Sequence, residues 1–211
     1  MLVLVGPAGA GKTTLAHLLQ KRAPGQRAFS ISHTTRTRRA NEADGVDYYF
    51  VDRPDFEALR DRAGFAEWAE VHGNLYGTSR AEIARLHRDG KLALFDIDIV
   101  GAHNLWRLYP DEVRLAFLLP PSWQVLVDRL LARGTETPDI VRRRLRTARI
   151  ELHAVCASPA PWHIVVNDQL EVAADHLEAL LAVPPPPAED PRAHPSVQAF
   201  LRDADADPRA A

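Results

Sequence analysis

The stretch Gly6-Pro7-Ala8-Gly9-Ala10-Gly11-Lys12-Thr13 constrains the fold of this chain more than any other. It fits the pattern G-x-x-x-x-G-K-[ST] at every fixed position. The short apolar run 2–5 precedes it and a segment of helical pattern, 12–22, follows, which is the strand–loop–helix context the motif needs to bind phosphate. Gly6, Gly9 and Gly11 let the backbone curl around an anion with its N–H groups pointing inward, and the positive end of the following helix adds to that field. Lys12 is placed to reach the β- and γ-phosphates of a nucleoside triphosphate, and the Thr13 hydroxyl to ligate Mg²⁺. Thr14 completes the expected ATP-binding stretch. Lysine is scarce here, three against twenty-three arginines, so its presence at this position is not background.

The rest of the chain reads as alternating strands and helices. The stretch 28–31 reads as a second short strand, 92–97 returns to the buried, parallel-strand type of 2–5, and 114–118 and 163–166 read as further core strands. With the first run they predict an α/β fold with a parallel five-stranded core sheet flanked by helices. Ligands in such sheets gather at the carboxyl ends of the strands, where the glycine loop and the pair Asp96 and Asp98 both fall. Between 33 and 90 the pattern changes to short strands at 47–51 and 65–71 and helical pieces at 54–62 and after Ser79. Glu82, three positions on from Ser79, suggests a capping box. This region is expected to be a small inserted α+β unit. The segment 126–153 has a break at 133–138 and a strongly basic helix after it. The core is then 1–32, 91–125 and 154–183. Residues 184–211, with seven prolines, five acids and three arginines, have the composition of a disordered tail.

A formal charge of −2 gives no electrostatic case for nucleic acid or an anionic membrane, and no run approaches the length of a membrane span. A single cysteine, Cys156, excludes an internal disulfide and fits a reducing, cytoplasmic setting. The expectation is also that no signal peptide is present, since cleavage would remove the first strand and the loop. The nine histidines show no metal-ligand spacing.

The second substrate is read from the insertion. Arg36 and Arg39 lie close together after the second strand, and Tyr48 and Tyr76 add phenolic donors, a combination suited to a phosphate monoester. The segment Ser30-Ile31-Ser32-His33-Thr34-Thr35-Arg36-Thr37-Arg38-Arg39-Ala40-Asn41-Glu42, followed by Gly45-Val46-Asp47-Tyr48-Tyr49-Phe50, resembles the GMP-binding signature of the guanylate kinase family. Glu67-Trp68-Ala69-Glu70-Val71, Gly73-Asn74-Leu75-Tyr76-Gly77-Thr78, Asp96-Ile97-Asp98 and Arg133-Gly134-Thr135-Glu136 follow in that family's order and spacing. The resemblance covers about 2–183. It implies a P-loop kinase fold in which Ser32, Glu67 and Thr78 read guanine, and Arg36, Arg39, Tyr48 and Tyr76 hold the GMP phosphate. Glu42 belongs to the same GMP-binding set. Asp98 would stand near base and Mg²⁺, and Asp96, with Thr13, near the metal. The segment 126–153 would be a helical lid, with Arg133, Arg144 and Arg149 over the transferring phosphoryl group. The sequence departs from the family's usual residues at Arg38, Asn41, Leu75 and Val100.

What the resemblance implies is Mg²⁺-dependent transfer of the γ-phosphoryl group of ATP to GMP, and dGMP is a further candidate acceptor. Two alternatives belong to other classes: a non-catalytic interaction module, and a P-loop kinase for another phosphorylated acceptor such as ribose 1,5-bisphosphate. The intact Lys12-Thr13 pair argues against the first. The base-reading set Ser32, Glu67 and Thr78 argues against the second, because a sugar phosphate offers these groups nothing to pair with.

Overall fold

The computed structural model describes residues 1–210 apart from 41, 72 and 133–136. Strand β1 (Leu2–Val5) leads through the glycine loop into α1 (Lys12–Arg22), and β2 (Arg27–Phe29) follows. The insertion then supplies β3 (His33–Thr34), β4 (Tyr49–Phe50), α2 (Arg53–Asp61), β5 (Phe65–Val71), β6 (Asn74–Ser79) and α3 (Arg80–Arg88). The chain returns to the core with β7 (Leu92–Asp96), α4 (Ile99–Leu108), β8 (Arg114–Leu119), α5 (Trp123–Leu131), α6 (Pro138–Ala157), β9 (Trp162–Val166) and α7 (Leu170–Ala179). Helix α8 (Pro195–Ala206) and a 3₁₀ turn (Pro208–Ala210) come last.

The core sheet has the order β2-β7-β1-β8-β9, and every pair in it is parallel. Its strands carry the period-two alternation that sends neighbours to opposite faces. On one face Val3, Val5, Phe95, Leu115, Phe117 and Leu119 pack with residues of α4, α5, α6 and α8. On the other, Leu2, Leu4, Leu94, Ala116, Leu118 and Val165 pack with α1 and α7. All four residues of β1 are fully buried, which is why the sequence shows an uninterrupted apolar run there. The glycine loop therefore springs from the most enclosed strand of the sheet.

The insertion forms a second sheet, β4-β3-β6-β5, with β3 and β4 parallel and β5 and β6 an antiparallel hairpin. It has its own small core of Phe56, Phe65 and Leu75, with Phe56 and Phe65 stacked at 4.3 Å between ring centroids. Leu75 is 1% exposed at its centre, so the apolar residue there serves packing. The expected capping box is half formed. The Ser79 hydroxyl accepts from the amide of Glu82, but the Glu82 carboxylate accepts from the amide of Ile31 and from Arg85 instead of reaching back. Glu82 thereby ties α3 to the segment leaving β2.

Two boundaries differ from the sequence reading. Leu126, Val127 and Leu130 of α5 are fully buried against the core, so α5 is a layer of the core and not part of a lid beginning at 126. The expected solvated tail is instead folded onto the core over residues 195–210. Pro195 opens α8, and Val197, Phe200 and Ala204 bury their side chains in the same cluster as α5 and α6. The acids and prolines dominate the composition of this segment, but the apolar residues recur at helical spacing on one side, and burial of that side decides the outcome.

Candidate active site

The glycine loop takes the shape its sequence requires. Gly6, Gly9 and Gly11 have φ of 141°, 98° and 92°, all disfavoured for residues with a Cβ. At Gly6 a Cβ would also lie 2.3 Å from the carbonyl oxygen of Leu118. Gly11 caps α1 without any side-chain partner, which leaves the first N–H groups of that helix directed at the loop's concavity. Lys12 folds back over the loop, its Nζ donating to the carbonyl of Gly6 at 2.6 Å and of Pro7 at 3.3 Å, and lies 3.8 Å from Asp96. The Thr13 hydroxyl donates to Asp96 Oδ2 at 3.0 Å. Thr13 and Asp96, the two residues expected at the metal, are thus brought together.

Two further residues brace the loop, and neither stood out in the sequence. Asn167, just past β9, donates from Nδ2 to the carbonyl of Ala10 at 2.8 Å and from its amide to Leu119 at 2.6 Å. Arg129 of α5 donates to the carbonyls of Gly9 and Asn167. The available signal was position, a polar residue at the carboxyl end of a core strand.

A cavity of about 550 Å³ opens beside the loop, between the core, the insertion and α6. Gly6, Ala8 and Lys12 form one end; Asp96 and Asp98 the floor; Ser32, Tyr48, Glu67, Tyr76 and Gly77 the insertion wall; Ile140, Arg143, Arg144, Thr147 and Glu151 the α6 wall. Glu67 stands where the pairing of β5 with β6 slips between Phe65 and Glu67, an irregularity of the kind that re-aims a side chain. It is 6% exposed, and its Oε1 accepts from the amide of Thr78 at 2.8 Å. Burial, with Asp98 nearby and against the bond from Thr78, raises its pKa to about 7. Thr78 itself is fully buried behind Glu67, anchoring the carboxylate by its backbone. Asp98 caps α4, accepting from the amide of Gly101 at 2.7 Å, so its carboxylate is held at the cavity floor by the helix start.

Glu42 does not join the cavity wall. Its carboxylate accepts from Arg36 at 2.7 Å and from the amide of Arg39 at 2.9 Å, and the Arg36 bond is the main cause of its lowered pKa. It organises the two arginines. Arg36 also lies over the rings of Tyr48 and Phe50 at 5.5 and 5.8 Å, and Tyr48 meets Tyr76 edge to face at 6.1 Å. Arg38 donates to the carbonyl of Glu42 at 2.7 Å, which ties its guanidinium to the loop's own backbone. Asn41 lies outside the described residues, as does Arg133, and Val100 is exposed on α4.

Of the other two arginines expected over the phosphoryl group, Arg144 lines the cavity and Arg149 does not. Arg149 donates to Asp205 of α8 at 2.6 Å. The reason is helical: positions five apart are rotated by about 140°, so Arg144 and Arg149 cannot share one face of α6. Glu151, which does share the face of Arg144, was not anticipated. Its carboxyl oxygen Oε2 is buried without a hydrogen-bond partner among the described residues, and burial, reinforced by Asp98 and Asp96 against the pull of Lys12, raises its pKa to about 7. Among the described residues no helix is long and apolar enough to cross a membrane.

The guanylate kinase family model matches residues 1–183. The chain is 44% identical over 182 residues to the guanylate kinase of Nocardia farcinica, covering 85% of this chain and 92% of that one. It is 45% identical over 181 residues to the guanylate kinase of Anaeromyxobacter dehalogenans, covering 86% and 79%. The crystal structure of guanylate kinase from Anaplasma phagocytophilum superposes with a TM-score of 0.66 at 28% identity, covering 100% of this chain and 95% of that one.

Proposed function

The chain belongs to the guanylate kinase family of ATP:GMP phosphotransferases, and we propose that its cavity seats GMP on the insertion wall with the phosphates of ATP on the glycine loop. The observation that carries this reading is the position of Glu67. A carboxylate almost closed off from solvent, with one oxygen fixed by Thr78, faces the same cavity as Lys12 and Asp96. Guanine presents N–H donors at N1 and N2 to such an acceptor, whereas adenine would set its N1 acceptor against it, and unpaired buried groups discriminate strongly. Ser32 on the same wall is within the base-reading set, and Thr78 acts through Glu67. Tyr48 and Tyr76, with Arg36 held by Glu42, would receive the GMP phosphate; Arg39 joins them from an exposed position.

The reaction breaks the bond between the γ-phosphorus and the β–γ bridging oxygen of ATP and forms one to a phosphate oxygen of GMP. That oxygen is already ionised, so no general base is required. Catalysis is positioning and charge neutralisation. Lys12 exchanges its own loop carbonyls for the β- and γ-phosphates, and Arg144 reaches the transferring group from α6. Glu67 loses its proton as guanine N–H groups approach. The family's usual Mg²⁺ fits the donors present: the Thr13 hydroxyl and the Asp96 carboxylate, 3.0 Å apart, are hard oxygen ligands of the sort that bind this ion alongside substrate phosphates. When bound it neutralises charge on the β- and γ-oxygens.

An assay of ADP formation with ATP against GMP, dGMP, AMP, UMP and ribose 1,5-bisphosphate tests the reading. GMP should be preferred over AMP by on the order of 10⁴ in kcat/KM. Equal turnover of AMP, or preference for the sugar bisphosphate, would overturn it.

A further inference from the structure

Helix α6 is contacted on three sides. At about 100° per residue, Ile140, Arg144, Thr147 and Glu151 fall on one face, the one that lines the cavity. Val141, Leu145, Ala148, Leu152 and Val155 fall on the next and are buried in the core. Arg149 and His153 lie on the third, roughly opposite the cavity, and both bond to Oδ1 of Asp205, at 2.6 and 3.1 Å. Asp205 sits near the end of α8, outside residues 1–183 matched by the family model.

The segment that carries Asp205 is firmly seated. Phe200 meets Trp123 of α5 edge to face at 5.4 Å, and Val197, Ala204 and Ala210 are buried in the cluster shared with α5 and α6. Two residues beyond Asp205, the Asp207 carboxylate accepts from Trp123 Nε1 at 2.7 Å and from Arg209 through both its oxygens. Glu189 continues the attachment upstream: its amide donates to the carbonyl of Trp162, and its carboxylate accepts from the amide of Ile164. The segment thus holds α6 from behind while its other end is fixed to β9.

We propose that Asp205 is a positioning residue for phosphoryl transfer, acting through Arg149 and His153 to set the rotation of α6 and so the presentation of Arg144, Thr147 and Glu151 to the cavity. The inference rests on the GMP-kinase reading for its kinetic readout but not for its structural one. Its physical basis is rotational. The buried side chains of the apolar face seat α6 on the core, and a small rotation about that seat moves Arg144, Thr147 and Glu151 relative to the cavity. A polar contact on the flank away from the cavity opposes that rotation, and Arg149 is spent on this contact instead of on phosphate.

The experiment compares Asp205→Ala, Arg149→Ala, the double variant, and the charge-swapped pair Arg149→Asp with Asp205→Arg in the full chain. Each single variant should lower kcat about three- to tenfold with KM for GMP within twofold. The double variant should be no worse than either single one, and the swapped pair should recover most of the loss. Hydrogen exchange of the α6 amides should quicken several-fold in Asp205→Ala, a measurement independent of which reaction the protein catalyses. Wild-type kcat in both single variants would overturn the proposal. So would a loss in Arg149→Ala orders of magnitude beyond that in Asp205→Ala, since Arg149 would then act on phosphate directly. A fall in kcat that merely tracks loss of folded protein, with no recovery in the swapped pair, would overturn it as well. Absence of GMP phosphorylation by the wild type, with faster α6 exchange still seen in Asp205→Ala, would instead fault the functional reading.

Discussion

Gly101, in the first turn of α4, packs directly on the carboxylate of Glu67: a Cβ there would lie 2.6 Å from Oε2 and 3.1 Å from Cδ. Asp98 caps the same turn, so one helix start fixes both an acid at the cavity floor and the space behind the acid on the wall. Gly101→Ala should therefore separate stability from function. Alanine favours the helix by up to about 1 kcal/mol, while its methyl group displaces the Glu67 carboxylate. Melting temperature is expected to change little and kcat/KM for GMP to fall about tenfold. Wild-type kinetics would show that the carboxylate has room to move without consequence.

Glu67→Gln keeps the size of the side chain and removes its charge, and a charge-assisted bond contributes roughly 1.5–3 kcal/mol. The expected loss in kcat/KM for GMP is about 100-fold, with ATP affinity little changed. Arg39→Ala should weaken GMP without altering the preference for guanine over adenine, because the phosphate is common to both. An unchanged G-to-A ratio in Glu67→Gln would remove Glu67 from base recognition.

The raised pKa of Glu67 has a proton signature. A carboxyl with a pKa of about 7 is partly protonated at pH 6.5, and guanine donors favour its ionised form. GMP binding should thus release protons near that pH, seen as a dependence of calorimetric binding enthalpy on buffer ionisation enthalpy. Glu67→Gln should abolish most of it.

Stability should fall on the alkaline side. Glu67 and Glu151 have folded pKa values of about 7, raised from 4.5, so the folded state holds more protons than the unfolded one between those values. Ligand-free protein should lose stability as pH rises from about 4.5 to about 7, by roughly 3 kcal/mol for each group at most. Asp207 works in the opposite sense. Its pKa, lowered to about 2 chiefly by Arg209, gives stability present above 3.8 and lost as pH falls towards 2. Thermal melts of the ligand-free protein should peak near pH 4, and Glu67→Gln should flatten the decline above it.

Lys12→Ala should leave the fold intact and reduce kcat by several orders of magnitude, because a fixed cation on the β- and γ-phosphates is lost. Asn167→Ala should act more mildly. Removing the donor to the Ala10 carbonyl costs about 1–3 kcal/mol and loosens the loop, which should appear as a lower melting temperature and weaker ATP binding.

The core and the loop were legible because their physics is local. Uninterrupted apolar runs mark strands enclosed on both faces, and a glycine pattern marks positive φ at Gly6, Gly9 and Gly11. The cavity wall was legible through the family's motifs, which brought Ser32, Tyr48, Glu67 and Tyr76 to one side. What escaped depends on distant pairings. Glu42 and Arg38 serve the backbone and neighbours of their own loop, and nothing in a polar segment distinguishes a residue that meets the ligand from one that holds its neighbour. Arg129 and Asn167 reach the glycine loop from more than a hundred residues away. The placement of Arg149 away from the cavity is written in the helical spacing that separates it from Arg144. In the last segment periodicity outweighs composition: Val197, Phe200 and Ala204 recur at intervals of three and four, and that spacing specifies a buried side whatever the acids and prolines around it.

With three sides of α6 occupied, the strip that remains faces solvent, and Ile150, 60% exposed, lies on it. That makes position 150 a natural place for an optical or spin reporter, because a label carried on Ile150→Cys rides on the helix without entering the cavity, the core or the contact with Asp205. The chain's single native thiol, Cys156, is half-buried, and its pKa is raised by that burial, so at neutral pH a thiol-directed dye would favour the introduced site. The turning of one helix during a catalytic cycle could then be followed in real time.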